Sequence, residues 1–305
     1  MAGLTLVGTP IGNLGDLSPR ARQALEEADF IAAEDTRVTL KLLNHFGIRK
    51  PMVSYHEHNM RQRGQAILGR ILAGERCAVV TDAGMPCVSD PGEELVRLCH
   101  DAGVPVTVVP GPTAALSALA VSGLPTGRFV FEGFLPVQKN GRKQRLEETR
   151  GDPRTLIFYE APHKLRATLT DMAESFGPDR PLTLVRELTK IHEELIRTTL
   201  GGALDLYAQR EPKGEFVLVV GGAPDPEQTA GQSTPEEAAL LALEMAAEGL
   251  SLSEAAKRAA VQTGCKKSQV YKRALQLQEI RRTEESTYRS CPGKDTGIRP
   301  DRQRG

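Results

Sequence analysis

Apolar and polar positions follow two rhythms along this chain, and the change of rhythm divides it. Short runs rich in β-branched residues, at 4–7, 30–33, 52–55, 78–81 and 106–109, are too short for helices and read as buried strands. Between them, apolar residues recur at helical spacing. Ser18-Pro19 caps and opens a helix through Ala28. Further helices carry Leu40, Leu43 and Phe46, then residues 65–72, then Leu95 and Cys99, then residues 113–121. Strands alternating with helices predict βαβ units and a mostly parallel sheet. Beyond residue 121 the connections loosen. Strand candidates at 129–131, 156–159, 182–185, 196–199 and 216–220 predict a second α/β domain with a mixed sheet. G-A-P-D-P-E-Q-T-A-G-Q-S-T, from Gly222, is a linker by composition.

From residue 235 the period is helical throughout. Small residues Ala255, Ala256, Ala259 and Ala260, the turn T-G-C-K-K and a basic helix with Val270 and Ala274 fit a helix-turn-helix. They fit an ordinary three-helix bundle as well. The expected organisation is an α/β domain over 1–115, a second over 116–222, a linker over 223–234, a helical module over 235–280 and a disordered polar tail over 281–305.

Composition narrows this picture. At 305 residues the chain has room for two domains with real cores. Aromatic content is 4% with no tryptophan, against wide stacking platforms for single-stranded RNA. Formal net charge is zero, so a nucleic-acid partner needs a local basic patch. The five cysteines are scattered singly, which predicts reduced thiols and a cytoplasmic protein. No leader pattern opens the chain, and no apolar run approaches the roughly 20 residues of a membrane span.

The unusual residues fall just after predicted strands: 8–13, 34–37, 56–59, 82–86 and 110–114. A parallel sheet brings those ends to one edge, so five distant stretches converge on one crevice. G-x-G-x-x-G and G-x-x-x-x-G-K-[ST] are both missing, so neither a dinucleotide nor a nucleoside triphosphate is supported. Arg37 is the one cation in these loops, which suits a neutral or cationic cofactor. E-D-T-R at 34–37 also fits a helix cap with an ion pair. His56-Glu57-His58 lacks a third ligand nearby, so no metal is expected. Cys87 reads as packing rather than a nucleophile.

Five motifs then carry a resemblance: G-T-P-I-G-N-L-G-D-L-S-P-R-A, A-E-D-T-R, T-D-A-G-M-P-C-V-S-D-P-G, V-P-G-P-T-A and F-Y-E-A-P-H-K. They resemble the tetrapyrrole methylase superfamily, and more closely its RNA-modifying branch, the bacterial 16S ribosomal RNA cytidine 2′-O-methyltransferases. The similarity covers roughly residues 4–221 and continues into the helical region. It implies two α/β domains of the tetrapyrrole methylase type, parallel then mixed, with an appended all-helical module. It implies S-adenosylmethionine as cofactor, held at Pro10, Gly84, Met85, Val88, Thr113, Ala114 and Tyr159. It also implies a homodimer acting on the small ribosomal subunit. Where the porphyrin branch has Gly-Asp-Pro, this chain has Gly84-Met85-Pro86, which removes a side chain that branch offers there.

For such a reaction the protein mainly aligns oxygen, methyl carbon and sulfur, and removes the hydroxyl proton. Glu34, Asp35, His56 and Glu187 are the candidate proton acceptors or orienting groups; Lys190 serves if burial lowers its pKa, or else holds a phosphate. Glu187 to Lys190 also fits a solvated face. Candidate RNA contacts are Arg37, then Lys139, Arg142, Lys143 and Arg145 as a mobile basic lid or a solvated helix, and Lys266, Lys267, Lys272 and Arg273 in the module. Methylation of a corrin or porphyrin, and a non-enzymatic nucleic-acid-binding regulator, are the alternatives. The first leaves the basic stretches without use, and the second leaves the glycine loops without use.

Overall fold

Strand residues buried on both sides decide the first half of the molecule. In the computed structural model, which describes residues 2–224 and 235–289, β2 (Phe30–Ala33) is wholly buried, as is β4 (Arg76–Val80) from Cys77 onward. With β1 (Gly3–Val7), β3 (Met52–Ser54) and β5 (Val106–Val109) they form one sheet, all parallel, in the order β3-β2-β4-β1-β5. Neighbouring residues on a strand point to opposite faces. Ile31, Ala33, Ala78 and Val80 therefore meet Ala21 and Leu25 of α1 (Pro19–Glu27) and Leu43 of α2 (Thr36–His45). Phe30, Ala32, Cys77 and Val79 meet Ile67 and Ile71 of α3 (Met60–Leu72) and Leu95 and Cys99 of α4 (Glu93–Asp101). Helices on both faces of a parallel sheet make it doubly wound, with every strand's carboxyl end on one edge.

The second sheet has the order β6-β7-β10-β8-β9: β6 (Phe129–Phe134), β7 (Thr155–Glu160), β8 (Pro181–Arg186), β9 (Glu194–Thr199) and β10 (Phe216–Val220). Only the β6–β7 pairing is parallel, so the sheet is mixed. One face packs on α6 (Lys139–Thr149), α7 (Pro162–Phe176) and α8 (Leu200–Gln209). The other face is covered by α5 (Ala114–Ser122), through Ala115, Ala118 and Leu119 against Ile157, Val185 and Val217. Helix α5 leaves the first sheet directly after β5, so the same helix ends one sheet's crevice and seals the other sheet. Residues 1–223 accordingly make one compact unit.

The second unit begins at Pro224. Its helices are α9 (Pro235–Ala247), α10 (Leu252–Thr263) and α11 (Lys267–Arg289). The Ser251 hydroxyl accepts the Glu254 N–H to start α10, and Gly264, in the left-handed region at φ 70°, ends it. Ala238, Ala242, Ala255, Ala256, Ala259 and Val270 form its small core. Helix α11 runs past residue 280, where a tail was expected to begin. Residues 225–234 of the expected linker and 290–305 of the tail lie outside the described residues.

Candidate active site

The crevice is sewn together by backbone. Thr9 and Gly84, in the loops after β1 and β4, exchange hydrogen bonds: Thr9 N–H to Gly84 O at 2.9 Å and Gly84 N–H to Thr9 O at 3.1 Å. The loop after β5 closes on the same point. A Cβ on Gly8 would lie 2.6 Å from Gly111, and one on Gly111 would lie 2.8 Å from Gly8, so both positions exclude a side chain. The Gly111 N–H donates to the Met85 thioether at 3.2 Å. Thr113 caps α5 by accepting the Leu116 N–H, and the Ala115 N–H donates to the Tyr159 hydroxyl at 3.1 Å. Burial pushes that phenol's pKa up. Pro10, Gly84, Met85, Thr113, Ala114 and Tyr159 thus belong to one wall, and Val88 is exposed on the loop beyond Met85.

A cleft of about 470 Å³ opens there, lined by Ile11, Gly111, Pro112, Ser117 and Thr189 among others. Such a volume suits a small molecule. Its walls are backbone and neutral side chains apart from the Asp16 carboxylate, and the buried Thr189 hydroxyl on its lining has no partner. Nothing in this lining would neutralise a polyphosphate, whereas a sulfonium amino acid derivative fits.

Across the crevice, at the ends of β2 and β4, carboxylates gather. The Thr81 hydroxyl donates to Glu34 at 2.6 Å, and the Asp35 N–H donates to the Asp82 carboxylate at 3.0 Å. Asp35 is the N-cap of α2, accepting the Arg37 N–H at 2.8 Å and pairing with its guanidinium at 2.6 Å. Those hydrogen bonds hold its pKa down at about 2, so Asp35 is a structural cap and a poor proton acceptor. Asp90, on the glycine-rich loop two residues beyond Val88, is the opposite case. Burial, then the charge of Glu34, then that of Asp82, push it up to about 6 against the Thr81 hydrogen bond. It also lines a second cavity of about 630 Å³ with Cys87 and Ser89, and its charge is felt at Tyr159. Asp90 lies within the motif T-D-A-G-M-P-C-V-S-D-P-G, outside the candidate residues named from the sequence. Its use depends on which carboxylates the fold sets around it, and no local pattern carries that information.

The other candidates divide. His56 sits at the end of β3, where its N–H donates to the Asn59 side chain at 2.9 Å and its Nδ1 is buried without a partner. Among the described residues no group of three or more His, Cys, Asp or Glu is arranged to hold a metal. Glu187 and Lys190 lie on the loop after β8, which reaches Gly12 after β1 rather than the carboxylates. Burial lowers the Lys190 pKa, but hydrogen bonds to Glu215 (2.9 Å) and Glu187 (3.0 Å) outweigh it, and the net shift is upward. The condition on which Lys190 would serve as a base is therefore not met, and it stands as a cation. Glu187 is correspondingly lowered: burial would raise it, but the Glu215 N–H and Lys190 prevail.

Within the basic run, Arg142 is corrected. Arg142 is buried and pairs with buried Asp171 at 2.6 Å. Lys143 pairs with Glu174 at 2.6 Å, and Arg145 with Glu132 and Glu148 at 2.7 and 3.0 Å. Gly141 lies inside α6 rather than at a hinge. The buried ion pair ties Arg142 into the fold, while Lys143 and Arg145 are paired but about half exposed and Lys139 is exposed at the start of the helix. In the second unit Lys266, Lys267 and Lys272 are exposed, while Arg273 pairs with Glu236 of α9 at 2.7 Å. Arg37 keeps most of its surface in solvent despite its pair.

A doubly wound sheet whose glycine-lined edge faces a mixed sheet defines a class, and comparison bears it out: residues 3–204 match the Tetrapyrrole (Corrin/Porphyrin) Methylases, and the chain belongs to that family. Residues 233–278 match the RsmI C-terminal HTH domain. Within the family, the chain is 47% identical over 286 residues to ribosomal RNA small subunit methyltransferase I of Synechocystis, covering 91% of this chain and 99% of that protein. It is 44% identical over 279 residues to the Pseudomonas aeruginosa protein of the same name, covering 90% and 97%. Among solved structures it is similar in fold to the methyltransferase CobJ (TM-score 0.56, 22% identity, 73% of this chain and 95% of that one). The uroporphyrin-III-C-methyltransferase from Thermus thermophilus is comparable (TM-score 0.52, 23% identity, 73% and 96%). Among the described residues no helix is long and apolar enough to cross a membrane.

Proposed function

We propose that this protein methylates the ribose 2′-hydroxyl of a cytidine in 16S ribosomal RNA of the small ribosomal subunit, with S-adenosylmethionine as methyl donor. The observation that carries the reading is near-complete alignment with small-subunit ribosomal RNA methyltransferases at 43–47% identity. The tetrapyrrole methylases are similar at 22–23% identity, which speaks for the fold alone. The appended helical unit, with its exposed Lys266, Lys267 and Lys272, supports an RNA substrate over a corrin or porphyrin.

Pro10, Gly84, Met85, Thr113, Ala114 and Tyr159 hold the cofactor against the backbone of the sewn loops. S-adenosylmethionine supplies, when bound, a methyl group already activated on a sulfonium and leaving a neutral thioether. The protein's own work is to fix the attacking oxygen in line and to take its proton late in the transfer. Asp90 is the best-placed proton acceptor. It is ionised at neutral pH yet basic enough to accept, and it borders both the cofactor loop and the larger cavity. Its carboxylate receives the 2′-hydroxyl proton as the oxygen–carbon bond forms.

The protein works in the cytoplasm, where ribosomal subunits are, and as a homodimer; sedimentation of the full chain tests the second point. The function is tested by supplying methyl-labelled S-adenosylmethionine with small ribosomal subunits lacking this modification, and separately with a uroporphyrinogen. Label in the subunit RNA supports the reading. Label in the tetrapyrrole overturns it, and no label with no cofactor binding makes the chain a regulator.

A further inference from the structure

Phe134 is the most exposed aromatic ring among the described residues, at 60% exposure in a chain with few aromatics. The strand that carries it is deliberately irregular. Pairing of β6 with β7 runs Phe131 to Ile157 and then Gly133 to Phe158, so Glu132 is an extra residue. Gly133 turns through φ 65°, a conformation that favours glycine. Without the insertion, Gly133 would face Tyr159 and Phe134 would fall on the opposite face of the sheet. With it, Phe134 pairs with Tyr159, and the two rings meet edge to face at 5.5 Å. Phe131 holds the other side of Tyr159 at 5.0 Å. Tyr159 is tied to the head of α5 through the Ala115 N–H, beside Thr113 and Ala114. A Cβ on Gly133 would meet the Ser89 hydroxyl at 2.8 Å, so the bulge also abuts the loop that carries Asp90. The bulge therefore re-aims one bare ring toward the crevice, with Val137 exposed beyond it.

We infer that Phe134 is the platform on which the base of the substrate nucleotide stacks while its ribose enters the crevice. The inference rests on the reading of the chain as an RNA methyltransferase and deepens it. A single ring backed by a fixed tyrosine matches one base in size, and it is far smaller than the roughly 800 Å² per partner of a stable interface between copies. Stacking on an aromatic face is the usual way a base unstacked from RNA is held.

The test uses the full chain and a single-stranded RNA hexamer carrying one pyrrolocytosine, whose fluorescence is quenched on stacking. The wild type is expected to quench it. Phe134→Ala is expected to weaken binding about tenfold or more and abolish the quench. Phe134→Tyr restores both, and Phe134→Leu restores neither, because volume without a π face does not serve. S-adenosylmethionine binding, followed by calorimetry, stays within twofold in all three variants. Quenching that survives Phe134→Ala overturns the inference, as does an absence of quench in the wild type. A parallel loss of cofactor binding moves Phe134 into the cofactor pocket and overturns it too. A variant that sediments differently from the wild type makes the patch a contact between copies. Failure of the parent reading looks different, since then the wild type transfers no methyl group to subunit RNA at all.

Discussion

Replacing Asp90 by Asn makes the protein more stable and less active, and the two effects have one cause. The folded chain raises this carboxyl from 3.8 to about 6, through burial and the charges of Glu34 and Asp82. Below the ordinary value the group is neutral in both folded and unfolded states and contributes nothing. Above about 6 it is charged in both, and the folded state bears the whole cost. Two pH units at about 1.36 kcal/mol each give about 3 kcal/mol. Partial solvation screens roughly half of that, leaving about 1.5 kcal/mol. For a unit of this size the variant melts about 3–6 °C higher near pH 8. Near pH 5 the wild-type carboxyl is mostly protonated, and the gain falls to about half. Calorimetric melts of both proteins at the two pH values read this directly. Methyl transfer falls about 10²–10⁴-fold while cofactor binding is unchanged. A variant that melts no higher than the wild type near pH 8, or a gain that does not shrink near pH 5, refutes the placement of Asp90 among the other carboxylates.

Three further outcomes follow. The wild-type rate at subsaturating RNA rises with pH through about 6 as Asp90 ionises, and this limb is absent in Asp90→Asn; a pH–rate profile with no inflection there counts against the base assignment. Arg142→Ala leaves buried Asp171 with only the half-exposed Lys143, at 3.8 Å, as a partner and costs about 3 kcal/mol by urea unfolding, whereas Lys143→Ala, which leaves the close Arg142 pair intact, costs less than about 1 kcal/mol. Gly111→Ala drives a methyl group into Gly8, so S-adenosylmethionine binding measured by calorimetry is lost or greatly weakened; unchanged affinity means the loops do not need this close approach.

The strands were legible because burial on both faces leaves uninterrupted β-branched runs, and all ten described strands overlap a run read from the sequence. Convergence of five loops followed from parallel pairing alone, and the order β3-β2-β4-β1-β5 realises it. Helix α8 was not legible: L-G-G-A-L opens with two poor helix formers, and the helix depends on Thr199 capping the Gly202 N–H and on burial of Leu200 and Ala203. Charge was the least legible property. Arg142 and Lys139 stand three residues apart in the same basic run, yet one is buried against Asp171 and the other is in solvent. Whether Lys190 would be a base or a cation depended on its surroundings, and two glutamates, Glu187 and Glu215, make it a cation. Phe134 was hidden because one inserted residue, Glu132, inverts the face on which the ring emerges.

The central claim is that the crevice delivers a methyl group to a ribose oxygen. The most direct measurement is nucleoside mass spectrometry of 16S ribosomal RNA after incubation of unmodified small subunits with the protein and S-adenosylmethionine. The account predicts a cytidine carrying the added methyl on its sugar fragment. A methyl on the base fragment, or RNA returned unmodified by a protein that binds the cofactor, contradicts it.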